Sequence, residues 1–539
     1  MRKLDKAFDM AKASATGSLK LSFGLAISTV IMAIGTIILA RLLSAEEYGL
    51  YAIALIPSTM FALFRDFGVD SAMIKYIAQF RASTKDENSR DVIVAGLTFE
   101  IITGLSLTCV SLFTASFIAS TVFHRPESTF LLSIVSISVF SGALLVVSQS
   151  TFVGVEKMGL NSFTTICQSI AKTSISILLA FLGYGALGVV IGHTFSFLAT
   201  GILGLAMLYF LVFRRLGAHT SSFGIIKNLK MMLRYGMPLS ISTIISGFLL
   251  QFYGFMMAFF CSDLLIGNYQ IAVNFAVILT FFTTPVLTVL FPAFAKLDPQ
   301  NERQLLKTVF ASSVKYTALL LVPVIMAVMV LSQPLVNTLF GDKWVYAPYF
   351  LTLYVLLYLF AAVGSLSAQS FLQGLGETKI LMKQGVLKLI LGIALALLLI
   401  PTFGIPGVII GTFLAGIPSL VWGLHWIWKR HKVKVDFKSS TKIFAASAIA
   451  AIMAYLPLNF LATAELMRLI IGGTVFLGFY LFAAPMVGAV DQTDINNLRT
   501  MFSSLGVISK LINGLLRIMA KLTETCIGLR LFLNAHLKK

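Results

Sequence analysis

A few charged residues lie inside long apolar stretches, and they are the side chains most able to do chemistry. The basic ones are Arg65, Lys75, Lys172, Lys315 and Lys388, and the acidic ones are Asp66, Asp70 and Glu100. A charge at the centre of a bilayer costs about 2.5–3.5 kcal/mol, so such a residue should face a cavity or a partner. Lysine binds phosphate as a point charge, and an intramembrane carboxylate is typical of proton or ion pathways.

Three lysines are candidates to line an internal cavity. Lys172 lies about 12 residues from either end of its apolar stretch, roughly 18 Å, which is too far for the side chain to reach the interface easily. We therefore expect Lys172 to line a cavity. Lys388 and Lys315 lie about 8 and about 10 residues into their stretches, so each either lines the cavity or extends to the cytoplasmic interface.

The segment from Arg65 to Asp70 interrupts the second apolar stretch around Gly68. Either the helix breaks there and its freed backbone lines a cavity, or the helix ends and the segment lies at the inner interface; we favour the break. Asp66, Asp70 and Glu100 are candidates for ion coupling or gating. Glu100 is either a proton or Na⁺ site or a side chain that reaches the interface. His193 is expected to pack through a hydrogen bond.

The composition indicates what positions these residues. The chain has 539 residues, of which 58% are hydrophobic and 12% charged, with a mean hydropathy of +0.92. Soluble domains carry roughly 25% charged residues, so we predict an all-α integral membrane protein. The net charge of +19 is attributed to loops rather than to nucleic-acid binding. Each predicted helix approaches the ~20 residues that cross a bilayer, and the fourteen fall at about 19–43, 50–80, 92–117, 128–153, 160–183, 187–213, 235–258, 266–292, 305–332, 345–373, 380–402, 405–428, 443–462 and 466–488.

A short phrase occurs twice and indicates duplication. The pattern S-x4-G-x-Y-x-I-A begins at Ser44 and again at Ser262. Two further anchors recur in the same order at nearly the same spacing: Gln149-Ser150 returns as Gln369-Ser370, and the G-x-x-G-V-x-I-G motif of residues 185–192 returns at 404–411. Such internal repeats are typical of transporters. The sequence therefore predicts two six-helix bundles, followed by two more helices.

Loop charges predict the orientation. Basic residues concentrate in the N-terminal segment and in the links after even-numbered helices, whereas the other links hold only Arg41, Arg125, Lys343 and Arg468. Both termini are therefore predicted to be cytoplasmic. The predicted parts are an N-terminal lobe (1–216), a C-terminal lobe (217–434), helices 13 and 14 (435–490) and a basic amphipathic tail (491–539). The tail either lies on the anionic cytoplasmic leaflet or packs as a partner helix.

Two stretches carry a family resemblance. Residues 38–51, ILARLLSAEEYGLY, and residues 66–72, DFGVDSA, followed by Ile74-Lys75-Tyr76-Ile77-Ala78, resemble the polysaccharide biosynthesis proteins. These are O-antigen-flippase-type (Wzx-like) members of the multidrug/oligosaccharidyl-lipid/polysaccharide (MOP) exporter superfamily. The resemblance covers the first twelve helices.

The resemblance implies a V-shaped pair of bundles that flips a polyprenyl-(pyro)phosphate-linked oligosaccharide by alternating access. Lys172, Lys388, Lys315 and Arg65 would then bind the cargo phosphate. A peptidoglycan-precursor (lipid II) flippase, an ion-coupled multidrug antiporter and a membrane scaffold or polymerase subunit are the alternatives. No enzyme motif is apparent, so we expect no enzyme and no cofactor beyond a coupling H⁺ or Na⁺. The expected state is a monomer in the cytoplasmic membrane.

Overall fold

The computed structural model describes residues 2–82, 86–216, 222–299, 301–460, 463–502, 510 and 513–525, and within them the chain forms helices and no strand. The prediction of an all-α protein is thus confirmed. In chain order the helices are α1 (Arg2–Leu42), α2 (Ala45–Leu63), α3 (Val69–Ala82), α4 (Asp86–Phe117), α5 (Thr129–Gly154), α6 (Met158–Leu179), α7 (Gly185–Leu211), α8 (Ser222–Phe260), α9 (Asp263–Ala276), α10 (Thr280–Ala295), α11 (Arg303–Val330), α12 (Ser332–Phe340), α13 (Ala347–Val355), α14 (Ser365–Gly374), α15 (Thr378–Phe403), α16 (Ile405–His431), α17 (Phe437–Phe460), α18 (Glu465–Val487) and α19 (Gln492–Phe502), with a further helix over 513–525.

Ten helical segments of the described chain are long and apolar enough to cross a membrane, and the number is up to eleven if a pair bent by 52° (Ala347–Val363 and Ser365–Gly374) counts as one span. One of the ten, Met158–Arg215, is 58 residues long and contains both α6 and α7. Gly183 (φ 87°) and Gly185 (φ 50°) turn the chain between these two helices. Such breaks are one reason that this number differs from the fourteen helices predicted from the sequence.

Two repeat-related glycines both have a positive φ. Gly404 is the counterpart of Gly185, and both have a positive φ, 60° and 50° respectively. Positive φ is costly for residues with a Cβ and is readily adopted by glycine. Each glycine connects two long helices, α6 to α7 in the first copy and α15 to α16 in the second. The local geometry thus follows the repeat that the sequence shows.

The two copies of the repeated phrase meet in space. Ser44 caps α2 through its side chain, which accepts from the Glu47 backbone N–H at 3.1 Å, while Glu47 accepts from the Ser44 N–H at 2.8 Å. Gly49 of this copy and Gly267 of the second pack so closely that a Cβ on either would overlap a backbone carbonyl oxygen of the other phrase. The repeated glycine is therefore required for a backbone-to-backbone approach, which we call the Gly49–Gly267 contact.

Two compact units make up the chain. Unit 1 is Met1–Gln270 with Leu389–Val408, and unit 2 is Ile271–Lys388 with Ile409–Lys539. The two six-helix lobes predicted from the sequence, 1–216 and 217–434, stay a prediction.

The beginning and middle of the tail pack within unit 2. Ile495 of α19, with Leu516 and Met519 of the 513–525 helix, is buried in a core shared with α11, α17 and α18. Packing as a partner helix, an alternative left open by the sequence, is thus what this part of the tail does. Other residues that defined the predicted amphipathic stripe lie outside the described residues: Leu505, Ile508, Leu511 and Ile512.

Candidate functional site

The segment between α2 and α3 is a true helix break. Phe67 and Gly68 both have positive φ, 47° and 78°. The Asp66 carboxylate accepts from the backbone N–H groups of Gly68 (3.1 Å) and Asp70 (2.9 Å), and it thereby caps the start of α3. The break favoured from the sequence is present, and Asp66 holds it. That the freed backbone lines a cavity stays a prediction.

A second close approach lies at this break. A Cβ on Gly68 would overlap the carbonyl oxygen of Gly236 in α8, and a Cβ on Gly236 would overlap that of Gly68. Two glycines thus allow the backbones of the break and of α8 to touch. We call this the Gly68–Gly236 contact.

Arg65 and Glu100 form a buried ion pair beside the break. Arg65 Nε lies 3.0 Å from Glu100 Oε2, and the two residues are 8% and 1% exposed. Arg65 Nη1 also donates to the Val139 carbonyl of α5 at 3.1 Å. Gly142 makes room for the guanidinium, because a Cβ there would lie 2.8 Å from Arg65 Nη1. Arg65 is therefore neutralised within the protein rather than free for an anion.

Two further carboxylates lie near the Arg65–Glu100 pair. Asp66 and Asp70 act electrostatically on Glu100 along with Arg65, and Glu100 is the carboxylate that pairs with Arg65. Within the described residues no group of three or more His, Cys, Asp or Glu side chains is arranged to hold a metal ion. Among the described residues, Asp66 and Asp70 form no ion pair.

Lys172 of α6 lies near enough to His193 of α7 to act on it electrostatically. His193 Nδ1 is buried without a hydrogen-bond partner among the described residues, so the hydrogen bond expected for His193 is not formed at this atom. Its ring instead contacts Phe197, with the centroids 5.1 Å apart. Phe197 in turn borders the Gly142 position beside Arg65. The sequence alone did not predict that Lys172 and His193 would be neighbours, because the proximity depends on how α6 packs on α7.

The two cavity candidates of unit 2 differ from each other. Lys388 is exposed on α15 and forms no ion pair among the described residues. Lys315 of α11 pairs with Asp494 at 2.6 Å and with Asp491 at 3.6 Å, both in the C-terminal segment. Lys315 is therefore neutralised by the C-terminal segment. This ion pair could be predicted only by knowing where the tail folds.

Many long apolar helices define the class: a multi-pass all-α membrane protein. The model of the polysaccharide biosynthesis protein family matches residues 38–349, more than half of the chain. The protein belongs to this family. The resemblance noted in the sequence is thereby confirmed.

Two curated relatives carry names from glycan and lipopolysaccharide biosynthesis. The chain is 23% identical over 235 residues to the probable low-salt glycan biosynthesis flippase Agl15 of Haloferax volcanii, covering 43% of this chain and 49% of that protein. It is 25% identical over 331 residues to the lipopolysaccharide biosynthesis protein WzxC of Escherichia coli K12, covering 59% and 62%. The matches thus span about half to three fifths of the relatives' length. Neither name denotes an enzyme.

Solved structures show the same fold. The lipid II flippase MurJ in an inward closed conformation matches 85% of this chain and 97% of its own, with a TM-score of 0.69 and 19% identity. A multidrug resistance transporter of the MATE family and MOP superfamily, in an inward-facing conformation, matches 77% and 98% with a TM-score of 0.59 and 18% identity.

Proposed function

We propose that the protein is a flippase that moves a polyprenyl-(pyro)phosphate-linked oligosaccharide across the cytoplasmic membrane by alternating access, for surface polysaccharide or glycan assembly. The match to the polysaccharide biosynthesis family carries this proposal. The names of the two relatives, a glycan biosynthesis flippase and a lipopolysaccharide biosynthesis protein, support it.

The proposed topology has fourteen crossings, with both termini in the cytoplasm and a monomeric assembly. In this topology α6 and α7, which separate at Gly183 and Gly185, cross the membrane once each. The broken helix α2–α3 and the interrupted pair α9–α10 each add one crossing. The concentration of basic residues in alternate links supports the orientation.

The cargo phosphate is proposed to bind at Lys172, with Lys388 as a separate candidate. Of the four cations expected to bind it, Arg65 is paired with Glu100 and Lys315 with Asp494. Lys172 and Lys388 form no ion pair among the described residues, so their charges are available. A lysine held among apolar helices attracts phosphate more strongly than one in water, because the surrounding dielectric is low.

The coupling cation, H⁺ or Na⁺, is proposed to act at Glu100, with Asp66 and Asp70 contributing negative charge and Arg65 modulating it. The two further carboxylates that act on Glu100 beside its pair with Arg65 support this assignment. Uptake of one cation would reduce the repulsion among the carboxylates and weaken the hold of Glu100 on Arg65. Because Arg65 adjoins the break, a weaker Arg65–Glu100 pair would alter the packing at the Gly68–Gly236 contact.

Transport in proteoliposomes tests both sites. With a fluorescent polyprenyl-pyrophosphate sugar as cargo, Lys172→Gln should slow flipping roughly tenfold or more, the value of one charge-assisted hydrogen bond. Lys172→Arg should retain most activity, and Lys379→Gln, an exposed lysine of α15, should behave as wild type. Full activity of Lys172→Gln would remove Lys172 from the site.

The coupling assignment is tested in the same vesicles with Glu100→Gln. This variant should lose the stimulation of flipping by an imposed proton or Na⁺ gradient, and Glu100→Asp should keep part of it. Unchanged stimulation would place coupling elsewhere. Uptake of an organic cation in place of the lipid, or flipping of lipid II alone, would overturn the proposed cargo.

A further inference from the structure

A basic pocket lies between α3 and α8 in unit 1. Its volume is about 550 Å³, and its lining residues are Tyr76, Lys227, Lys230, Met231, Arg234 and Tyr235. None of these residues belongs to the sites proposed above for cargo or coupling ion. The pocket therefore needs an explanation of its own.

Three cations form one wall of the basic pocket. Lys227, Lys230 and Arg234 occupy positions i, i+3 and i+7 of α8, which places them on one helix face. All three are exposed, and none forms an ion pair within the described part of the chain. The Asp91 carboxylate approaches the same helix at Gly224, one turn before Lys227, and is not part of the lining.

Two aromatic rings of the lining hold a fourth cation beside the basic pocket. Lys75 Nζ of α3 lies 3.7 Å from the centroid of the Tyr235 ring and 5.1 Å from that of Tyr76. The two rings pack edge to face with their centroids 5.9 Å apart. Lys75 thus contacts the two tyrosines that line the pocket together with the three cations of α8. The lining itself contains no carboxylate.

We propose that the basic pocket binds a phosphate anion, either the phosphodiester head group of an anionic lipid or a soluble phosphate. Cations held close together repel one another. An anion bound between them makes the net electrostatic interaction energy favourable. Topogenic loop charge requires only a number of basic residues on one side of the membrane. It doesn't require them to line one cavity with aromatic walls.

The position of the basic pocket gives the anion a structural consequence. Tyr235 immediately precedes Gly236, and Tyr76 lies on the helix that begins after Gly68. The lining therefore comes from both sides of the Gly68–Gly236 contact. A bound phosphate would bridge α3 and α8 through Lys75 and the α8 cations, and it would hold this contact closed.

Binding is measured on the full chain by native mass spectrometry, with phosphatidylglycerol as the lipid probe and phosphatidylcholine as the neutral reference. The triple variant Lys227→Gln, Lys230→Gln, Arg234→Gln should bind phosphatidylglycerol at least about tenfold more weakly, since each basic residue near the surface contributes about 1 kcal/mol. The matched control removes three exposed cations of unit 2: Lys296→Gln, Arg303→Gln, Lys307→Gln. It should bind as wild type. Lys227→Arg with Lys230→Arg should also bind as wild type, since charge is kept.

We call the variant with Lys227→Gln, Lys230→Gln and Arg234→Gln the pocket triple. If the pocket triple and the control triple lose phosphatidylglycerol affinity equally, binding depends only on total charge and the proposal is overturned. Wild-type affinity of the pocket triple would overturn it as well. Inorganic pyrophosphate, added to protein in phosphatidylcholine nanodiscs, distinguishes the two sources. If pyrophosphate alone binds in a manner sensitive to the pocket triple, the ligand is a soluble phosphate. If phosphatidylglycerol alone does so, the ligand is a lipid.

Hydrogen exchange tests the bridging role. With the bound probe, the amides of residues 66–70 and 234–237 should exchange more slowly in wild type than without it. The pocket triple should show no such slowing. Slowing of equal size in both proteins would indicate general adsorption to the surface and would contradict the bridge.

Discussion

The Gly49–Gly267 and Gly68–Gly236 contacts both depend on paired glycines, but the side chains around them differ. Each brings two backbones together at a pair of glycines. Beside the first, Arg125 pairs with Asp263 at 2.5 Å and donates to the carbonyls of Ala258 (2.5 Å) and Cys261 (2.8 Å) at the end of α8. Beside the second lie the cations of the basic pocket, and those of α8 form no ion pair among the described residues.

The Gly49–Gly267 contact is therefore stabilised by the protein's own side chains, whereas the Gly68–Gly236 contact depends on a bound anion. Arg125 complements both an acidic side chain and the negative C-terminal end of α8. It needs no ligand to do so. The cations near Gly68 and Gly236 repel each other unless an anion joins them. We infer that the Gly49–Gly267 contact is the more permanent of the two in unit 1, and the following predictions test that inference.

Glycine replacement should give the largest effect. Gly68→Ala combines backbone strain of about 1–2 kcal/mol at positive φ with an overpacking cost of about 1–3 kcal/mol, because its Cβ meets backbone rather than a movable side chain. Gly49→Ala carries the overpacking cost alone. Thermal and denaturant unfolding in detergent should show both losses. Gly478→Ala, where nothing lies within 4 Å of the added Cβ in α18, should be neutral or up to about 1 kcal/mol more stable. If all three variants unfold alike, neither contact is tight.

Loss of Arg125 should have an intermediate effect that is confined to the first contact. Arg125→Gln should lower the free energy of unfolding by about 1.5–3 kcal/mol, the range for bonds to a charged group. The exposed Arg303→Gln should change it by less than about 0.5 kcal/mol. A double-mutant cycle with Asp263→Asn should give a coupling energy above about 0.5 kcal/mol. Additive effects would mean that the ion pair contributes nothing beyond the carbonyl bonds.

Salt should give the smallest effect and should separate the two contacts most directly. In about 1 M NaCl the Debye length falls to about 3 Å, so any stabilisation by phosphatidylglycerol should largely disappear. The coupling between Arg125 and Asp263 should persist, because the two side chains are only 12% and 25% exposed and buried pairs are screened less. If salt weakened the phosphatidylglycerol stabilisation and the Arg125–Asp263 coupling energy equally, the two contacts would not differ in their dependence on an anion.

The repeat shows how far sequence patterns reach. The second phrase predicted a structural equivalent of the first, and Gly49 and Gly267 do share one contact. Gly185 and Gly404 likewise share a positive φ. These outcomes depend on glycine at a fixed place in a motif, which the sequence displays directly. The partners of single charges were not predictable in this way, since Arg65 could have faced cargo and Lys315 a cavity.

By itself, the sequence determined the class of protein, because low charge and long apolar stretches leave the membrane as the only solvent that fits. It also displayed the repeated motifs, favoured a break around Gly68 and identified the set of charges that required partners. The tertiary structure alone decided those partners: Glu100 for Arg65, Asp494 for Lys315, and Asp263 for Arg125. Each pairing joins residues from different helices or loops, and its free energy depends on distance and burial, which no local pattern encodes.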